Sequence, residues 1–350
     1  MRSASARRDS GSEVVPDLVT VGGLTVDNVV AANGRVALAQ AGGNGAYSAV
    51  GALMWSRQVG LVSAAVESYP QQTLERLRAG GVDLSGVVWV PERLTACSWF
   101  IYDERGDRDE GLTSPPEALA EAGFPTDSLT RDQSARWRAA LAARPSEIGY
   151  SEFRDRHPLV PEQVPESWLG TRGVHLAPSQ PEVMLAMLDR FGQGPVVTSD
   201  PGWQLAALAL DEIAPILYRL DAFLPSEVEL RALVPGAGLS EGLKVLAGRT
   251  KGAVAVKLGP RGVLVWDRAA GSAVEVTAQS VPTVDPTGAG DAFSGGFLAG
   301  LVESGDPVAA ARFGAISAAQ VVGTFGADGA LPADRRAVRA ILGAEEPACS

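Results

Sequence analysis

Cysteine and histidine are almost absent from this 350-residue chain, which has two of each: Cys97, Cys349, His157 and His175. Two cysteines cannot build a disulfide framework, and residues this few and scattered argue against a zinc cluster or a His-rich metal site. Lysine is nearly as scarce, limited to Lys244, Lys251 and Lys257, so a bound phosphate must rely mainly on arginine, backbone N–H groups or metal. Acidic side chains outnumber basic ones 41 to 30, a formal charge of −11, which argues against a cationic surface for nucleic acid. No apolar run approaches the roughly 18 residues of a membrane span. The first residues, MRSASARRDSGSE, carry basic groups but lack the apolar centre of a secretory signal. These absences predict a cytoplasmic globular protein that engages neither nucleic acid nor membrane. What is present, 46% apolar and 20% charged residues, suffices to bury a core of one large α/β domain or two ordinary ones.

From Leu18 onward short apolar runs alternate with amphipathic stretches. LVTVGG (18–23), VGLVSAAV (59–66), GVHLAP (173–178), PVVTSD (195–200), DAFLPS (221–226) and AVAVKLG (253–259) read as strands. NGAYSAVGALMWS (44–56) and PQQTLERLRAGG (70–81) read as helices, the second closed by glycine. This alternation predicts βαβ units and a mainly parallel sheet covered on both faces, with three helices closing the chain. Two segments break the pattern. TVDNVVAANGRVALA (25–39) reads as a hairpin around Asn33-Gly34, and TACSWFIYDERGDRD (95–109) alternates and then turns at Gly106, so together they predict a small β-flap. In that flap, alternation turns either Trp99 or Phe100 inward. The stretch from Glu121 to Trp168, rich in Pro, Ser and charge, reads as a surface insertion.

The most informative string is Val284-Asp285-Pro286-Thr287-Gly288-Ala289-Gly290-Asp291-Ala292-Phe293. Gly288, Ala289 and Gly290 put small residues where an apolar helix begins, and free N–H groups of a first turn attract anions. Asp291 places a carboxylate beside whatever anion binds there. Phosphoryl transfer to an alcohol needs this pairing: dipoles hold the migrating group while a carboxylate accepts the hydroxyl proton. An ordinary helix start with an acidic first turn reads equally well from these residues alone. Gly42-Gly43-Asn44-Gly45-Ala46 brings backbone and the Asn44 amide close to a polar ligand, or is simply a tight loop-to-helix turn. As a dinucleotide fingerprint it fails, and no GxxxxGK[ST] string occurs, which excludes a P-loop kinase. Asp27, after the first strand, can accept from two neighbouring hydroxyls, or can mark a turn entry.

DPTGAGDAFSGGFLAG closely resembles the C-terminal signature of the PfkB (ribokinase-like) carbohydrate kinases, and the similarity runs from about Leu18 to Leu342. It implies a kinase domain over 17–343 between tails at 1–16 and 344–350, with lid segments near 25–40 and 95–110 and the insertion near 121–168. It also implies Asp291 as catalytic base and Gly288, Ala289 and Gly290 as anion hole, with ATP as phosphoryl donor and Mg²⁺ bridging its phosphates. GGNGA resembles the family's sugar-binding glycine motif, giving Asp27, Gly42, Gly43 and Asn44 to the substrate. Tyr47 stands where the family commonly has Asn, so the pocket departs from a typical ribokinase. Lys257-Leu258-Gly259-Pro260-Arg261-Gly262 resembles the nucleotide-side turn, assigning Lys257, Gly259 and Gly262 to ATP, although a plain hairpin turn reads the same.

Ser226 and Glu229 lie where the family shows Asn-x-x-Glu. Glu229 is retained to organise Mg²⁺ through water and Ser226 replaces the Asn on the nucleotide side; the two also read as a helix cap and its capping-box partner. Asp285 matches a position that shapes a monovalent-cation (K⁺) site, or is a turn carboxylate. The expected activity is transfer of the γ-phosphoryl group to a small sugar-like molecule, in a protein that resembles relatives forming flap-to-flap homodimers. A nucleoside kinase of the same fold and a sugar-binding regulator without turnover are the alternatives.

Overall fold

The computed structural model describes residues 15–67, 69–92, 98–104, 108–110, 114–143 and 150–345. Most of the expected N-terminal tail, both cysteines and the last five residues lie outside them. Thirteen strands among the described residues are β1 Leu18–Val21, β2 Thr25–Val30, β3 Val36–Gly42, β4 Val59–Val66, β5 Val82–Val90, β6 Ser98–Tyr102, β7 Arg108–Glu110, β8 Gly173–Leu176, β9 Val196–Ser199, β10 Ala222–Phe223, β11 Ala253–Lys257, β12 Val263–Asp267 and β13 Ser272–Val276. Nine of them form one sheet in the order β13-β12-β11-β10-β9-β8-β1-β4-β5. From β11 to β5 every pairing is parallel; β12 and β13 add an antiparallel edge. The central strands β1, β4 and β8 are buried throughout, as expected of strands covered on both faces. This is the α/β fold that the alternating pattern predicts.

Helix Ala289–Ser304 runs under the sheet, its small residues letting neighbours come close. A Cβ on Gly295 would strike the Ser48 carbonyl, so helix Asn44–Leu53 packs backbone to backbone against it. Helix Pro307–Val322 packs beside both, and Ser317 Oγ donates to the Gly51 carbonyl at 3.0 Å. Among the described residues no helix is long and apolar enough to cross a membrane.

A second sheet, ordered β3-β2-β6-β7, stands apart from the first. Its β2–β3 hairpin turns at Asn33-Gly34, but more widely than a two-residue turn. Ala31 N–H donates to the Arg35 carbonyl (2.9 Å), and Asn33 Oδ1 accepts from Arg35 N–H (3.0 Å). Period-2 alternation sorts its faces. Trp99 and Ile101 join Val30 against Leu119, Leu129 and Trp137, with the Trp99 and Trp137 rings stacked 4.7 Å apart. The helix Arg131–Ala143 that carries Trp137 therefore covers one face of this sheet. Tyr102, on the other face, is hydrogen-bonded to Thr287 Oγ1 at 2.8 Å. That contact ties the small sheet to the loop before helix Ala289–Ser304.

Candidate active site

Two glycine-bearing loops bring the site together. Gly42 ends β3, and a Cβ there would overlap the Asp27 carboxylate; Gly43, at φ 99°, would collide with the Gly23 carbonyl. Gly42 must be glycine for Asp27 to sit against this loop, and Gly43 for the loop to pass the Gly23 backbone. Asn44 Oδ1 accepts from Gly23 N–H (2.6 Å) and its amide donates to the Pro178 carbonyl (3.4 Å). The side chain expected to reach substrate thus joins three loops. On the second loop, Gly288 adopts φ 76° and precedes helix Ala289–Ser304. A Cβ on Gly288 would lie inside the Tyr47 ring, so Tyr47 is packed flat against its backbone. The next N–H groups, of Gly290 and Asp291, open the helix without intrahelical partners.

Four carboxyls approach this point. Asp27 is buried, and Thr25 Oγ1 donates to its Oδ1 at 2.8 Å. Burial pushes its pKa up to about 7, with the Asp285 and Asp291 charges adding to the rise. Asp285 Oδ1 accepts from Thr287 N–H at 2.9 Å, while its Oδ2 is buried without a partner among the described residues. Burial raises Asp285 to about 6. Burial likewise lifts Asp291 to about 6, against the pull of Lys257. The fourth, Asp200, follows β9 and forms an ion pair with Lys257 at the end of β11. Burial works against the Lys257 charge, but Asp200, Glu229 and Asp291 outweigh it and hold the ammonium above the ordinary lysine value. A Cβ added to Gly290 would stand 3.6 Å from Lys257 Nζ, which places this charge against the helix start.

Ser226 and Glu229 form a full capping box on helix Glu227–Leu233. Ser226 N–H donates to Glu229 Oε2 (2.7 Å) and Glu229 N–H donates to Ser226 Oγ (3.3 Å). The same Glu229 bears electrostatically on Asp291, Asp200 and Lys257, so capping and proximity to the site coexist. Gly259 and Gly262 shape the β11–β12 turn at φ 59° and 90°, and Gly262 N–H donates to the Gly259 carbonyl at 3.0 Å. Arg261 in that turn pairs with Glu227.

Sequence reasoning assigned no role to Asp200, Thr287 or Tyr102, and it placed Arg108 only within the flap segment 95–109. Arg108 draws down the pKa values of Asp27, Asp285, Asp291 and Tyr102, and its guanidinium lies 5.2 Å from the Phe100 ring centre. Asp200 had a legible signal, a carboxylate just past an apolar strand, where ligands gather in open α/β sheets. Among the described residues no three His, Cys, Asp or Glu side chains are grouped to hold a metal, so protein carboxylates alone do not cage an ion here.

Known proteins of similar sequence and fold are kinases. Residues 166–334 match the model of the pfkB family carbohydrate kinases. A cytidine kinase of Thermococcus kodakarensis is 26% identical over 312 residues, covering 89% of this chain and 97% of the relative. Among solved structures, the Burkholderia thailandensis nucleoside kinase in complex with inosine superposes with a TM-score of 0.67 at 17% identity, over 94% of this chain and 98% of that one. A candidate ribokinase II from E. coli, in complex with ATP and Mg²⁺, gives a TM-score of 0.64 at 18% identity, over 95% and 100%. The fold and these likenesses converge: residues 166–334 match the pfkB family carbohydrate kinases, the chain as a whole is similar to sugar and nucleoside kinases, and it is a phosphotransferase.

Proposed function

We propose that the protein transfers the γ-phosphoryl group of ATP to a hydroxyl of a sugar or nucleoside. The observation that carries this reading is Asp291, in the first turn of a helix entered through Gly288, with its pKa raised to about 6 and a buried lysine beside it. A carboxyl in that range is ionised at neutral pH yet basic enough to take an alcohol proton. In this reading the N–H groups of Gly288 and Gly290 serve the transferring group, Ala289, whose N–H donates to the Pro286 carbonyl at 3.2 Å, shapes the turn between them, and Lys257 adds a fixed positive charge. Asp27, backed by Gly42 and Gly43, accepts hydrogen bonds from the acceptor's other hydroxyls. Gly259 and Gly262 let the nucleotide lie along the β11–β12 turn, with Ser226 at its edge.

Mg²⁺, when bound with ATP, neutralises polyphosphate charge and orients the terminal phosphate. This reading has the ion carried by the phosphates and water, and gives Glu229, whose charge acts on Lys257 and Asp291, the part of organising that water. The unpartnered Asp285 Oδ2 suits a monovalent cation such as K⁺.

The test is ADP release from MgATP with a panel of sugars and nucleosides. Acceptor-dependent release supports the reading. Binding of acceptors without any turnover overturns it in favour of a sugar-binding regulator.

A further inference from the structure

Tyr47 belongs to both glycine loops. It lies in the first turn of helix Asn44–Leu53, where its N–H donates to the Gly43 carbonyl at 3.1 Å, so its backbone continues the loop that backs Asp27. Its ring lies against the other loop: a Cβ on Gly288 would fall among Tyr47 Cγ, Cδ1 and Cδ2. The side chain is buried, and its hydroxyl has no hydrogen-bond partner among the described residues. A buried phenol usually finds such a partner, so here packing, with Gly288 as one wall, holds the ring. The helix that carries it is fixed. Cβ atoms on Gly51 and Gly295 would strike the Ala292 and Ser48 carbonyls, which locks this helix to helix Ala289–Ser304 backbone to backbone. The turn is pinned on either side of Gly288. Thr287 N–H donates to Asp285 Oδ1 at 2.9 Å, and Ala289 N–H donates to the Pro286 carbonyl at 3.2 Å. Gly288 itself, at φ 76°, has no side chain to limit its movement, and the Tyr47 ring supplies the stop.

We infer that Tyr47 is a positioning residue for phosphoryl transfer: its ring sets how far the Gly288 and Gly290 N–H groups stand from the acceptor loop. The inference rests on the kinase reading above and deepens it. Donors that meet charge as it develops act best when fixed in advance, and a shift of about 1 Å costs on the order of 100-fold in rate. A ring carried by one helix and touching the turn that opens the other holds that distance directly. Asparagine, which the family commonly carries here, has no ring to fill the space against Gly288.

The test uses wild type, Tyr47→Phe and Tyr47→Leu. Rates are measured with MgATP and the best acceptor of the panel. MgADP binding is titrated with and without aluminium fluoride, which mimics the transferring phosphoryl group. Tyr47→Leu should lower kcat by at least about tenfold, with the KM for ATP within about twofold of wild type. It should also cut the affinity that aluminium fluoride adds to MgADP by a similar factor and leave MgADP alone unchanged. A merely structural residue would lower the melting temperature without moving that added affinity. Tyr47→Phe keeps the ring and should retain most of kcat and of the added affinity, whatever it does to the acceptor KM. Should Tyr47→Leu not fold, the five tyrosines can be replaced by 3-fluorotyrosine. The fluorine resonance missing from Tyr47→Phe is that of Tyr47, and it should shift when aluminium fluoride joins MgADP. An unmoved resonance, a Tyr47→Leu enzyme with wild-type kcat, or equal losses of kcat in Tyr47→Phe and Tyr47→Leu would overturn the positioning role and leave the kinase reading standing. A wild type that releases no ADP with any acceptor would overturn both.

Discussion

On the β11 side of the site, charged groups have partners, in the interior and at the surface. Lys257 pairs with Asp200, Arg261 with Glu227, and the Glu229 carboxylate is held by Ser226. On the side of the second sheet, buried polar atoms are left with unspent capacity. Asp285 Oδ2 and the Tyr47 hydroxyl are unpartnered among the described residues, and Asp27 titrates near neutrality. Burying polar groups without partners costs stability, so the contrast points to different ligands on the two sides. A polyphosphate is anionic and is best met by cations already fixed in place. An alcohol is neutral, and is best met by acceptors and by a carboxyl able to take up its proton.

The largest blow to this division should come from Asp291→Asn, which keeps size and removes the proton acceptor. Turnover should fall by at least about 100-fold while ATP affinity measured by titration stays near wild type. Near-native kcat would end the base assignment.

Asp27→Asn sharpens the acceptor side. It should lower kcat/KM for the acceptor by roughly 10- to 150-fold, through loss of a charge-assisted contact, and leave ATP binding alone. The same change should stabilise the protein in a pH-dependent way. The Asp27 carboxyl, near pH 7 folded against an ordinary 3.8, favours the folded state most below about pH 4, and that contribution is lost as pH rises through 7. Melting curves should therefore show the variant more stable than wild type at pH 8, by up to about 4 kcal/mol, with the gain fading toward pH 4. An advantage equal at both pH values would mean that Asp27 is not held in its raised state by burial.

Lys257→Met tests the other side. It should raise the KM for ATP about tenfold and change the acceptor KM little. It also leaves Asp200 buried without its cation, so the melting temperature should drop, and Asp200→Asn in the same chain should restore part of it. An additive double variant would show that the pair does not act as a unit.

Much of this site could be read along the chain, and the rest could not, for identifiable reasons. The helix from Ala289 was legible because Gly288 supplies the left-handed residue that starts it and apolar residues follow without a break. The glycine loop was legible because two consecutive glycines demand close backbone approach. Asp200 escaped notice because its meaning depends on its partner: Lys257 lies 57 residues on, and the two meet only because β9, β10 and β11 are neighbours in the sheet. Arg108 escaped for a similar reason, since its position follows from the β6–β7 register that sets it opposite Tyr102. Alternation said that one of Trp99 and Phe100 turns inward but could not say toward what. Trp99 stacks on Trp137, a residue of the segment that its composition marked as a surface insertion. Ser226 and Glu229 illustrate the opposite case, where the cap and the electrostatic reach toward the site are both realised in the same two side chains.

The pH dependence of kcat/KM for the acceptor tests the central claim most directly, because this constant reports the ionisation of the free enzyme. With Asp291 as base at about 6 and Asp27 at about 7, the wild-type rate should climb steeply between pH 5 and 7 and level off only above about pH 8. In Asp27→Asn a single limb near pH 6 should remain. A rate that stays flat from pH 5 to 8 in both proteins would contradict the assignment of Asp291 as the group that accepts the proton.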